Sequence, residues 1–214
     1  MKSDILYIHG MGGGADSRIP GILKDYYRCT ECDEKRDITL TCRTYSFNPG
    51  TAQKQISEWI EDMQPSLVIG ESLGACHAIL AAQKAGVPVL FVSPSLNAPI
   101  YLGWFAWVAL IPGMRQLFNK IFKPKEGDRQ KLDFRFSDLR LYRQLRSDAM
   151  KAASEVNAYA FFGTRDHYRK SGIVSIRTWK RHFGEGTWTV YEGTHFMEEE
   201  HIHNLLIPKI SSLL

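Results

Sequence analysis

Leu67-Val68-Ile69-Gly70-Glu71-Ser72-Leu73-Gly74-Ala75-Cys76-His77-Ala78-Ile79-Leu80 is the stretch on which the fold of this chain turns. A short apolar run ends in Gly-Glu-Ser-Leu-Gly, and an alanine-rich segment with helical character follows. That is G-x-S-x-G between a buried strand and a helix, the setting in which the pattern carries chemistry. The spacing predicts a strand that delivers Ser72 to its carboxyl end, and a turn tight enough to strain the serine backbone. Gly70 and Gly74 lack a Cβ, so strand and helix can close in around it. Ser72 Oγ then points out from the sheet edge. The Leu73 N–H lies at the positive end of the new helix and supplies half of an oxyanion site. The plainer alternative is a strand–turn–helix in which glycine and serine merely serve the turn, and the rest of the chain must choose between the two.

Upstream, Asp4 to His9 reads as a buried strand followed by Gly10-Met11-Gly12-Gly13-Gly14. A phosphate loop would need a Lys-Ser/Thr that is absent, and G-x-G-x-x-G is not matched. The remaining reading is His-Gly-x at the end of a central strand, with the Met11 N–H as the second oxyanion donor beside Ser72. Ser17 to Arg28 suits a helix with Pro20 in its first turn and Leu23, Tyr26 and Tyr27 facing inward. A charged turn over Glu31 to Asp37 leads into an alternating strand, Asp37 to Tyr45. Asn48-Pro49-Gly50 is a turn, and Thr51 is expected to cap a helix running to Met63 ahead of Pro65. Downstream, Gly86 is a helix C-cap, and Pro88 to Val92 is another apolar strand, ending in Ser93-Pro94-Ser95. This alternation predicts an α/β fold: a mainly parallel sheet with helices on both faces.

Residues 97–155 break the rhythm, because far more chain lies between two strands than one crossover helix needs. The segment opens with an apolar stretch, Ile100 to Ile111, and continues into a charged part with helical signals from Arg135 to Met150. A structureless loop of that length is uncommon. Its position at the carboxyl edge of the sheet suits a cap or lid. Trp104, Phe105 and Trp107 would then line an acyl or aromatic substrate pocket, pack the insertion onto the domain, or dock against a membrane or partner.

Val156 to Phe162 restores a strand, ending in Gly163-Thr164-Arg165-Asp166. Thr187 to Tyr191 is the last strand, ending in Glu192-Gly193-Thr194-His195 before a closing helix from Glu198 to Leu214. Ser72, Asp166 and His195 each follow a strand end, and open parallel sheets build their sites beyond those ends. A serine hydroxyl needs an imidazole to take its proton, and the imidazole needs a carboxylate to fix its tautomer. The rivals fit less well. Asp138 and Asp148 lie in the insertion, Glu192 shares its strand with His195, and His167 would have to fold back on Asp166. His182 is mid-connection, His201 and His203 point to different faces of the last helix, and His9 and His77 suit packed positions.

Composition bounds what else the chain can be. Its 214 residues suit a single domain over 1–214, and 44% hydrophobic with 23% charged content is ordinary for a globular protein. A net charge of +4, spread along the chain and without a recognition motif, does not argue for nucleic acid. Lys120-Ile121-Phe122-Lys123-Pro124-Lys125 reads as a solvated basic loop. The apolar stretch from Ile100 to Ile111, boxed between Pro99 and Pro112, is too short to span a bilayer. No leader is visible at Met1-Lys2-Ser3-Asp4. Of four cysteines, Cys42 and Cys76 suit small buried positions, and Cys29-x-x-Cys32 lacks the second pair a zinc site would need. A reducing cytoplasm, no cofactor and no metal are the expectations, and the oligomeric state stays open.

The chain resembles the α/β-hydrolase superfamily, and within it the small lid-bearing bacterial serine esterases of the YqiA-like kind. The resemblance rests on Leu6-Tyr7-Ile8-His9-Gly10, Val68-Ile69-Gly70-Glu71-Ser72-Leu73-Gly74, Val92-Ser93-Pro94-Ser95, Gly163-Thr164-Arg165-Asp166 and Gly193-Thr194-His195-Phe196. It covers both flanks of the sheet but not residues 97–150. It implies a serine hydrolase acting on carboxylic esters or related small acyl compounds. Ser72 would be the nucleophile, His195 the base and Asp166 its orienter, with thioester cleavage or acyl transfer as the neighbouring chemistries. A binding protein on the same fold, using the insertion as its contact surface, is the reading from another class.

Overall fold

A computed structural model describes residues 3–28, 38–123 and 126–214. The charged turn and the Cys29–Cys32 pair therefore lie outside the described residues. Six strands form one sheet: β1 (Ser3–Ile8), β2 (Ile38–Cys42), β3 (Leu67–Glu71), β4 (Val89–Val92), β5 (Ala158–Gly163) and β6 (Trp188–Tyr191). Their order is β2-β1-β3-β4-β5-β6, and every pair is parallel. The central strands are apolar on both faces, β3 and β4 being buried almost throughout, as a sheet covered on both sides requires. The strand order reverses between β1 and β3, and such a reversal opens a crevice at the carboxyl ends of the two strands.

Helix α1 (Arg18–Arg28) covers one face together with the C-terminal segment, in which α8 (Glu199–His201) runs through a π-helical turn at Ile202–Leu206 into α9 (Ile207–Leu213). Pro208 sits in the first turn of α9 and cannot donate a helical hydrogen bond, which accounts for the widened turn before it. The other face carries α2 (Pro49–Met63), α3 (Ala75–Ala85), α4 (Ala98–Val108), α6 (Phe136–Ala152) and α7 (Ile176–Phe183). Helix α5 (Met114–Ile121) joins this larger core through Phe118 alone among its fully buried residues.

Local chemistry accounts for the helix ends with one change from expectation. Asn48, not Thr51, caps α2: its Oδ1 accepts the Thr51 N–H at 2.9 Å, and Pro49 takes the first helical position. Proline at N1 loses nothing there, since that N–H has no helical partner anyway. Gly86 ends α3 at φ 68°, the left-handed cap that glycine adopts freely.

Much of the long segment after β4 does ordinary work. Helix α6 occupies the crossover position between β4 and β5: it packs on α3, and the buried Tyr142 hydroxyl donates to Phe47 O at 2.8 Å. The part exceeding a simple crossover is therefore α4, α5 and the loop to Arg135. Helix α4 lies antiparallel to α6, with Arg146 donating to Leu96 O at one end and Trp107 meeting Phe136 edge-on at the other. Leu102, Gly103 and Ala106 face α6, so the small residues are turned inward. A Cβ on Gly103 would come within 2.5 Å of the Arg143 side chain, which lies in the space glycine leaves.

Candidate active site

The elbow after β3 adopts the conformation its sequence predicts. Ser72 has φ 49°, a left-handed backbone that costs a non-glycine residue about 1–2 kcal/mol. Its neighbours leave no room for side chains. A Cβ on Gly70 would lie 2.6 Å from the Ala78 Cβ, and one on Gly74 would lie 2.4 Å from His9 O. The two glycines thus let α3 pack onto β3 and let β1 run directly behind the turn. Ser95 fastens the elbow from β4: its N–H donates to Ser72 O at 3.0 Å, and the two serine hydroxyls are 3.2 Å apart.

The loops after β5 and β6 are laced together. Thr164 N donates to Tyr191 O and Arg165 N to Gly193 O, at 2.9 and 2.8 Å. Gly163 makes this possible, since a Cβ there would sit 2.3 Å from Thr194 O. Glu198 accepts the Thr194 N–H and hydroxyl, and Arg18 donates to Met197 O, holding the β6 loop from the other side.

These constraints bring three distant side chains into one line. His195 Nε2 lies 2.9 Å from Ser72 Oγ, and His195 Nδ1 lies 2.7 Å from Asp166 Oδ2. Asp166 and His195 are each 3% exposed, so the imidazole sits between a solvent-screened carboxylate and the serine. The other carboxylate oxygen, Oδ1, accepts the Tyr168 N–H at 2.9 Å, which fixes the carboxylate plane. With Nδ1 donating to the carboxylate, Nε2 is free to accept the serine proton.

The glycine loop after β1 lies against the serine: a Cβ on Gly10 would be 3.1 Å from the Ser72 Cβ. Gly10 O accepts from Gly13 N at 3.0 Å and from His9 Nδ1 at 2.8 Å, which curls the loop. Gly12 N donates to Gln130 Oε1, whereas Met11 N has no protein acceptor among the described residues. Leu73 is the middle residue of the short helical turn Ser72–Gly74 that leads into α3.

Behind the site is a buried polar layer. His9 stacks on Tyr45 with ring centroids 4.2 Å apart, Tyr45 meets His77 edge-on, and His77 Nδ1 lies 2.6 Å from Gln53 Nε2. Burial pushes His9 down to about 4 and His77 to about 3, so both are neutral packing residues near pH 7. Glu71, inside the motif, accepts the Tyr7 hydroxyl at 2.8 Å. Desolvation pushes its carboxyl up from the ordinary value, against the opposing pull of that hydrogen bond and of His195.

Not every expected side chain joins the array. Trp104 and Trp107 are 65% and 62% exposed; their neighbours are Arg143 and Phe136, and Phe105 meets Phe118. The rings around His195 are instead Tyr168, with centroids 4.7 Å apart, and Phe196, at 5.3 Å. The sequence marks Ser95 only as part of the Val92-Ser93-Pro94-Ser95 motif, and no motif in it singles out Tyr168. The signal for both was position: each lies within three residues of a strand end or proposed site residue.

The fold and this arrangement define the α/β-hydrolase fold, and comparison with solved structures agrees. The chain is similar to a monoacylglycerol lipase from Paleococcus ferrophilus, at 17% identity with a TM-score of 0.63, covering 99% of this chain and 95% of that one. It is similar to a carboxylesterase of Nitrososphaera gargenis, at 14% identity and a TM-score of 0.56, over 99% and 91% of the two chains. A thioesterase domain from the curacin biosynthetic pathway matches at 15% identity and 0.57, again over 99% and 91%. No family model matches the sequence, and neither does any curated protein.

Proposed function

We propose that this protein is a serine hydrolase that cleaves small carboxylic esters through an acyl-enzyme. The observation that carries the reading is the continuous hydrogen-bonded line from Ser72 Oγ through the His195 ring to Asp166, at 2.9 and 2.7 Å. In the first step Ser72 Oγ attacks the acyl carbonyl while His195 Nε2 takes its proton. The carbonyl oxygen becomes an oxyanion held by the N–H groups of Met11 and Leu73. His195 then passes the proton to the departing alcohol, leaving Ser72 acylated. Water, deprotonated by the same nitrogen, attacks the acyl group and releases the acid, and the proton returns to Ser72. Asp166 keeps the imidazole in the tautomer with a bare Nε2 and stabilises its positive charge. The chemistry needs no metal or cofactor.

The likeness to an esterase, a lipase and a thioesterase domain supports acyl chemistry as a class. Helices α4 and α5 with the loop to Arg135 form the cap in this reading, and the free, buried Cys42 and Cys76 suit a cytoplasmic setting. The direct test is a fluorophosphonate probe together with p-nitrophenyl acetate and butyrate. Wild-type protein is expected to label on Ser72 and to turn over at least one ester. Ser72→Ala should lose labelling and on the order of 10³-fold or more of turnover. Wild-type protein that neither labels nor turns over any acyl ester or thioester would overturn the reading in favour of a binding role.

A further inference from the structure

The surface of α4 and α5 does not look like the outside of a protein that meets only water. Of the thirteen large hydrophobic residues that are exposed among the described residues, nine lie between Tyr101 and Phe122. On α4 they follow helical spacing, with Tyr101, Trp104 and Phe105 on the face opposite the Leu102, Gly103 and Ala106 that pack on α6. On α5 the outward pair is Leu117 and Ile121, one turn apart, with Phe118 turned inward. Helix α4 is thus apolar on the solvent side as well as on the core side, and α5 adds Leu117 and Ile121 among polar neighbours. Single exposed hydrophobes are ordinary; a clustered group of aromatic and branched residues marks an interaction surface.

Charge decides what it meets. The chain has no acidic residue from Ser72 to Lys125, whereas Arg115, Lys120 and Lys123 fall within or beside the patch. Arg115 is engaged by Asp133, but Lys120 and Lys123 are exposed and have no ion-pair partner among the described residues. Arg143 lies over the Trp104 ring and adds a further cation at the edge. Trp and Tyr rimmed by lysines is the composition of a surface that settles at a lipid headgroup layer: rings enter the boundary, and lysine stems reach back to anionic phosphates. A second copy of this chain is a poorer occupant, because a two-fold contact would set the cationic rims against each other.

We propose that the α4–α5 face docks on the surface of anionic phospholipid bilayers. The face is peripheral, since no helix among the described residues is long and apolar enough to cross a membrane. The docking stands apart from the hydrolase reading, because it is measured as binding and without turnover.

The test is co-sedimentation of the full-length chain with vesicles of phosphatidylcholine alone or mixed with phosphatidylglycerol. Binding to the mixed vesicles is expected to exceed binding to the neutral ones and to fall with added salt. Lys120→Gln/Lys123→Gln should weaken the anionic binding on the order of thirtyfold, from about 1 kcal/mol per lysine near such a surface. That variant should leave turnover of a water-soluble ester unchanged. Brominated acyl chains should quench wild-type tryptophan fluorescence, and Trp104→Phe/Trp107→Phe should remove that quenching while still binding. Ser72→Ala should bind vesicles as wild type does. No binding to either vesicle would overturn the proposal. So would a concentration-dependent dimer that shields the two tryptophans from iodide without lipid, or equal binding by the lysine variant.

Discussion

Two serines hold a left-handed backbone here, Ser72 at φ 49° after β3 and Ser93 at φ 47° after β4, on neighbouring strands. Residues of this kind persist only where the surroundings over-determine them. For Ser72 those surroundings are the bare glycines on either side and the hydrogen bond from Ser95. Asp166 is held as firmly, with one oxygen on the Tyr168 N–H and the other on His195. Asp166→Asn should therefore keep the fold but offer Nδ1 a group that can donate, favouring the tautomer with a blocked Nε2. Turnover is expected to fall by about 10³–10⁴-fold while fluorophosphonate labelling slows in proportion. Labelling at the wild-type rate would remove Asp166 from the mechanism.

Among the elements, close backbone approach is what the site depends on. Gly74→Ala would drive a methyl group to within 2.4 Å of His9 O and 2.7 Å of Ile8 O, both backbone atoms that have nowhere to go. Either β1 or α3 must move, so a loss of 1–3 kcal/mol or more is expected in urea unfolding, with ester turnover falling further than stability alone explains. The loop before α6 makes the second such contact. Gln130 is 2% exposed; its backbone N donates to Gly13 O at 2.7 Å, and its side chain joins Gly12 N to Tyr45 O. Gln130→Ala should release the glycine loop from that side chain, lowering kcat more than it raises KM, at a cost of about 1–3 kcal/mol for the unpaired groups left behind. An unchanged kcat would show that the loop holds its shape without the tether.

How much of this was legible in the chain depends on what each signal encodes. The strand ends carrying Ser72, Asp166 and His195 could be read because each apolar run stops at a chemically distinct residue, and a parallel sheet gathers such ends at one rim. Pro49 and Asn48 were read as a turn, although together they begin α2; the asparagine side chain decides that, and spacing does not. The face of α4 was not legible at all. A helix that is apolar all round has no polar stripe to mark its outside, so the large rings could equally line a pocket, pack the insertion or dock on a partner or membrane, while Gly103 and Ala106 took the inner face because Arg143 needed the room.

At the scale of the whole molecule, the buried His9–Tyr45–His77 layer sets a pH limit. Both imidazoles are held neutral when folded, at about 4 and about 3, but protonate near the ordinary value once the chain unfolds. Their contribution is intact above about pH 6.5 and is lost as the pH falls, because the unfolded chain then binds protons that the folded chain refuses. Each should remove about 1.4 kcal/mol per pH unit below that point, until its folded value is reached. Urea midpoints at descending pH should track this slope, and His77→Leu should flatten it whatever its midpoint at neutral pH.

An all-parallel sheet also governs how the molecule comes into being. No neighbouring pair of strands here can zip up as a hairpin, so each pairing waits on the closure of a long stretch of intervening chain. Pairing β1 with β3 sets Ile5 beside Leu67, and the last element of the proposed machinery to emerge in synthesis is His195. Refolding should accordingly be slow for a domain of this size, with sticky half-built sheets along the way, and under the proposed mechanism a nascent chain would stay inert until its final strand is laid down.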